Sequence, residues 1–399
     1  MTIDAFTSKA AELAVTCGVN LQPGQILAMQ AQVGQEAAAR HVAAAAYRAG
    51  ARFVDVEFFD LEVKRSRLEF ASPESLEFVP SWYGERLESI AAQRCARLRL
   101  AGQAQPGALD GVAPELAARD MLPRLKEHGA VVNSRRTNWS IIPVVSSGWA
   151  KLVFPGLPPN EAASLLASRL SHVLRLDDPD PAAAWHSRLV DLEEIARRVN
   201  DSQIGEVRFV GAGTDIKFGL LPTSRFVTAQ ETSLAGVSHI TNLPTDEIYT
   251  TPDPVRTEGT VAVTRPLVLG GAVITDLVMT FENGVVTKVS ASQGRASLEH
   301  HIARDEGARR LGELALVDGS GRVGETDTVF FDTLLDENAA SHVALGNAYE
   351  KAVSETDLER INRSVIHTDF MIGGAGVDVL SRERQCEWRP LLVDGRWMI

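Results

Sequence analysis

Cysteine is nearly absent from this 399-residue chain: only Cys17, Cys95 and Cys386 occur. They are far apart, odd in number and form no CxxC, which excludes a disulfide framework and a zinc ribbon. No stretch of 18 apolar residues occurs, so no membrane-spanning helix is expected. An excess of positive charge is missing as well. The 40 Lys and Arg stand against 52 Asp and Glu, a formal charge of −12. A nucleic-acid or anionic-membrane surface would need the opposite balance. The N-terminal part contains no GxGxxG or GxxxxGK[ST] after a strand-like segment, so a nucleotide-binding role for it is poorly supported. The opening MTIDAFTSKAAELAV lacks a charged stretch leading into an apolar one and reads as an amphipathic helix, not a secretory signal. A cytoplasmic compartment is the default expectation.

With 45% hydrophobic and 23% charged residues, the composition is that of a soluble globular protein. The length suits two or three domains. Helices are expected near 8–16, 34–49, 73–93, 113–128 and 160–173, and strands at 26–29, 51–58, 96–102 and 129–134. Alternation of the two implies βαβ units, hence an α/β N-terminal domain with an open, mostly parallel sheet over residues 1–180. The Asp/Pro cluster at 177–181 is the best linker candidate. Residues 181–399 change texture. Strand-like segments come first, with an Asn-Gly hairpin signal in FENGVV (281–286). Helices near 295–316 and 338–352 follow, which suggests an α+β C-terminal domain.

Residues able to do chemistry concentrate between 242 and 373. The segment NLPTDEIYTTPD offers Asp246 and Glu247. Glu313 lies among Leu311, Leu314, Ala315 and Leu316, and is expected on a helix; a carboxylate so placed is either paired or bound to a cation. Asp336 and Glu337 precede a second expected helix, with Asn338 as its N-cap. His342 and Tyr349 are seven apart, which on a helix puts them on one face. In SVIHTDF, a strand would point His367 and Asp369 the same way. Four carboxylates and two histidines without cysteine suit Zn²⁺, Co²⁺, Mn²⁺ or Mg²⁺. Six such ligands exceed what one catalytic zinc uses and fit two ions bridged by a carboxylate and a water. Other histidines are read as structural. His41 and His128 fall on helices away from further donors, His239 on a strand, and His300–His301 at an exposed helix start. Arg256 is a candidate for orienting substrate or its own loop. GAGTD (211–215) is read as a tight turn.

At these motifs the chain resembles the thermophilic-type metallo-aminopeptidases. The matching strings are NLPTDEIYTTPD, EGARRLGE, DTLLDENAASHVALGNAY and HTDFMIGG, in family order. The resemblance implies that Glu247, Glu313, Glu337, His342, His367 and Asp369 are metal ligands, with Glu313 touching both ions and Tyr349 pointing into the site. Asp246 stands where the family often has Glu, and is left out of the ligand set. The resemblance further implies removal of N-terminal residues from short peptides, catalysis in 181–399, and a homodimer whose cavity the N-terminal domain shapes. Three competing expectations remain. An Fe²⁺ ring-cleaving dioxygenase could use His342, His367 and Asp369. An amidohydrolase could act on one metabolite. A non-enzymatic protein could use the metal for stability alone.

Overall fold

The computed structural model describes residues 2–399 except 121, 124, 126, 212, 384 and 385. These form two compact units: residues 1–187 with 229–245, and residues 188–228 with 246–399.

The first unit is α/β, as its alternating pattern predicts. Its sheet is wholly parallel, in the order Phe53–Phe59, Ile26–Gln32, Ala96–Ala101, Trp139–Pro143. Leu27, Met29, Leu98, Leu100 and Ile142 alternate along three of these strands and are buried. The Ala-rich helix Glu36–Arg48 packs against the first two strands in sequence, and the helix Ile3–Leu13 packs on it. Gly50, with φ of +89°, takes the left-handed turn that ends the longer helix. The fourth strand is WSIIP at 139–143, not 129–134 as expected. Glu127–Asn133 is a helix that buries Val131 against Leu87 and Ala91. Two adjacent valines gave that segment a strand-like composition, but packing of one of them on a neighbouring helix decides. The expected helix over 113–128 is confined to Pro114–Arg119 before that second helix. Residues 229–245 supply a small hairpin and a bridge from Asn242 to Ile141.

The second unit is built on two antiparallel sheets. One has eight strands and includes the 278–290 hairpin, whose turn residues Asn283 and Gly284 both have positive φ. The other has four strands in the order His367–Met371, His342–Gly346, Leu311–Val317, Glu247–Thr250. A common core joins them, with Phe209, Phe218 and Phe281 from the first and Ile248, Leu314, Val343 and Phe370 from the second.

Two expected helices are strands here. Residues 311–317 and 342–346 form the centre of the four-stranded sheet, and every one of their positions is buried. A strand covered on both faces shows no polar alternation, so Leu, Ala and Glu in LGELALV read as helix. The helix expected near 295–316 is limited to Arg295–His301. Gly346 closes the second central strand at a φ of +106°, where a Cβ would lie 2.2 Å from the carbonyl oxygen of Ile366. Gly346→Ala should therefore lower the unfolding free energy by about 1–3 kcal/mol, read from the urea midpoint of metal-free protein.

Candidate metal centre

Strand parity builds the site. Ile248, Leu314, Leu316, Val343, Leu345 and Phe370 turn to the common core. Alternation therefore turns Glu247, Tyr249, Glu313, His342, His367 and Asp369 to the other face of the four-stranded sheet. Ala344 lies between Glu313 and Asp369 in register, Ala315 beside His342, and Gly346 beside His367. These small residues leave the long side chains room to converge. Glu337 comes from a one-turn helix, Glu337–Ala339, rather than from the sheet.

The six side chains expected as ligands come together. Glu247, Glu313 and His342 bring ligand atoms within 4.8 Å of one another, as do Glu313, His367 and Asp369, and Glu337, His342 and Asp369. His342 Nε2 lies 3.1 Å from Glu247 Oε2, and His367 Nε2 lies 3.0 Å from Glu313 Oε2 and 3.4 Å from Asp369 Oδ1. The other ring nitrogens face backbone carbonyls: His367 Nδ1 is 2.8 Å from Asn347 O, and His342 Nδ1 is 3.3 Å from Ala340 O. A proton on each Nδ1 makes Nε2 the atom turned to the centre as ligand. Tyr349 sits in the loop beyond Gly346, not on a helix with His342, and its hydroxyl is 3.4 Å from His367 Nε2. Its ring stands 5.2 Å from that of Tyr249, which shares a strand face with Glu247.

Burial dominates the electrostatics. Glu247, Glu313, Glu337, His342 and Asp369 are between 1% and 8% exposed. Burial, helped by the neighbouring carboxylates, pushes the carboxyl groups of Glu313 and Glu337 above the ordinary range. It raises the Tyr349 hydroxyl in the same way, so that group stays protonated. Burial alone would lower His342, but Glu247 and the other carboxylates outweigh it and raise its pKa to about 9. His367 is likewise raised, by Asp369 and Glu313 against burial. Four carboxylates against two imidazoles leave a negative excess even with both rings protonated. A buried excess of this kind calls for cations. The donor set of oxygen and imidazole nitrogen, with no sulfur, fits a hard or borderline divalent ion. Among the described residues, none of the three groups holds both histidines. A two-histidine, one-carboxylate iron site, and with it the dioxygenase alternative, is therefore not favoured.

Several supporting residues were not legible as such. Asn338 is not a helix N-cap. Its Oδ1 accepts from the Asp246 backbone N–H at 2.6 Å and its Nδ2 donates to Leu334 O, so it ties the Glu337 turn to the start of the Glu247 strand. Asp246, left out of the expected ligand set, pairs with Arg188 at 2.7 Å. Asp336 is buried, accepts from the backbone N–H groups of Phe330 and Asp332, and faces Arg265; burial pushes its pKa up to about 7. Tyr249 could have been found from EIYT, since it follows Glu247 by the strand period. Arg256 donates to Glu206 and the Leu220 carbonyl, a role within the eight-stranded sheet. His301 is half-buried against Thr368, not solvated as expected.

The model of the family described as thermophilic metalloprotease (M29) matches residues 4–397. The chain is 36% identical to aminopeptidase T of Thermus thermophilus, covering all of both chains. It is 32% identical to aminopeptidase PepS of Streptococcus thermophilus, covering 98% of this chain and 97% of the relative. The solved structure of wild-type AmpT from Thermus thermophilus is similar throughout, with a TM-score of 0.90, 35% identity and full coverage of both chains.

The raised groups set a pH dependence. His342 titrates at about 9 when folded against 6.5 for the free side chain. Its stabilisation is full below 6.5 and is lost as pH rises through 9. The raised carboxyls of Glu313 and Glu337 act with the same sign. In chelator, the melting temperature should fall between pH 6.5 and 9. With a saturating divalent ion the fall should shrink or reverse, because ligands bind it deprotonated. Thermal melts at both pH values, with and without metal, check this.

Proposed function

The chain belongs to the thermophilic metalloprotease (M29) family, and on that premise we propose that it removes N-terminal residues from short peptides with water activated by two divalent ions. It is a metal-dependent hydrolase of the aminopeptidase kind, as its relatives' names indicate. The observation that carries the two-ion reading is the shared position of Glu313. That residue belongs both to the group with Glu247 and His342 and to the group with His367 and Asp369. Glu337, within reach of His342 and Asp369, completes the ligand set. Zn²⁺, Co²⁺, Mn²⁺ and Mg²⁺ all suit these donors. Bound there, the ions would polarise the scissile carbonyl and lower the pKa of the attacking water.

The residues then divide the work. Glu313, deprotonated where the two groups of donors meet, takes the proton of the attacking water as general base. Tyr349, protonated, donates a hydrogen bond to the oxygen that gains charge in the transition state. The free N-terminal amine of the substrate would bind one of the ions or a carboxylate of the centre. The catalytic centre lies in the second unit, within residues 246–399. The homodimer rests on the family resemblance. A cytoplasmic location is supported by three cysteines that are all free thiols. Among the described residues, no helix is long and apolar enough to cross a membrane.

Release of the leucine from Leu-p-nitroanilide or a leucyl dipeptide should be abolished by chelator and restored by Zn²⁺ or Co²⁺, with two ions counted per chain. One ion per chain, or turnover indifferent to chelator, would remove the two-ion reading. Tyr349→Phe should lower kcat by roughly 10²–10³ with little change in KM, as for other oxyanion donors. Wild-type turnover in that variant would end the proposed role.

A further inference from the structure

We propose that His301 is a positioning residue for the metal centre: through Thr368 it holds the strand that presents His367 and Asp369. This inference rests on the metal reading above. The strand His367–Met371 is the edge of its sheet and has a full ladder on one side only, against His342–Gly346. It nevertheless carries two of the six ligands, so any shift of this strand moves both at once. Thr368 lies between them and points to the opposite face, where its Oγ1 shares a 2.8 Å hydrogen bond with His301 Nε2.

His301 is well founded for such a task. It ends the helix Arg295–His301, and the neighbouring Leu298 and Ile302 are buried in the common core. The chain just beyond reinforces it. Asp305 Oδ2 accepts from Ser364 Oγ at 3.0 Å and from the Val365 N–H at 2.8 Å, at the entry to the same strand. Its Oδ1 accepts from the Ala308 N–H at 2.8 Å, at the turn that leads into the Glu313 strand. The ligand strand is thus supported at its entry by Asp305 and at its middle by His301. A ligand set works only when held within about 0.5 Å of its productive geometry. The Phe370 ring secures the strand's burial, while the hydroxyl of Thr368 fixes the position of the backbone between the two ligands.

The test uses the full-length chain and reads metal binding directly. Zn²⁺ affinity is measured by competition with a chromophoric chelator, and the ligand field by the visible spectrum of the Co²⁺-loaded protein. Thr368→Val keeps the size and the β-branch and removes only the hydroxyl. Thr368→Val and His301→Ala should each weaken Zn²⁺ binding about tenfold and shift the Co²⁺ bands. Thr368→Ser and His301→Gln should recover most of the affinity, and the double variant should be no weaker than either single one. Zn²⁺ affinity within twofold of wild type in Thr368→Val, with an unchanged Co²⁺ spectrum, would overturn the proposal. So would additive losses in the double variant. If His301→Ala fails to fold, Thr368→Val and Thr368→Ser decide alone. Wild-type protein that binds no divalent ion would instead bring down the metal reading, a result distinct from unaffected variants.

Discussion

A buried surplus of negative charge on one face of a four-stranded sheet is the constraint around which the second unit is organised. Like carboxylates repel strongly where water is excluded, and the sheet must hold four of them together regardless. It does so by spreading them over separate elements, with Glu247, Glu313 and Asp369 on three strands and Glu337 on a turn. The opposite face of the same sheet meets the eight-stranded sheet through an apolar core. Hydrophobic burial on one side thus supports electrostatic strain on the other. Protons relieve that strain when no cation is bound, which is the physical meaning of the raised titration of Glu313, Glu337, His342 and His367.

The chain's alternation of β-rich and helical segments made the parallel sheet of the first unit readable, and the family resemblance of the four motifs singled out the six side chains that converge. Their secondary structure was only partly so. His367 and Asp369 follow the strand period and were placed on a strand from sequence. Glu313 and His342 were placed on helices, because LGELALV and HVALG are buried on both faces and carry no alternating polar signal. Tertiary packing supplies what local propensity lacks there. The supporting residues were hidden for another reason. Asn338 and His301 reach Asp246 and Thr368, far away in the sequence, through side-chain hydrogen bonds, and such partners leave no periodic trace.

Small residues matter as much to the centre as its charged ones. Ala315, Ala344 and Gly346 alternate with the ligands across the sheet, and none projects a side chain beyond a methyl group. The void they leave is what lets carboxylates from neighbouring strands approach a common point. A larger residue at Ala344 would stand directly between Glu313 and Asp369. Composition makes these alanines look like helix formers, whereas their role is to be short.

The register of the Glu247 strand has a kinetic corollary. Glu247 pairs opposite Val317, seventy positions later in the chain, and Glu313 reaches its partner strand only across the intervening loop to Ala344. No local stretch contains a complete set of donors. Loop closure over such spans is slow compared with helix formation. Each group of three donors therefore meets only where elements distant in sequence have come together, so a bound cation favours the assembled sheet over any local structure.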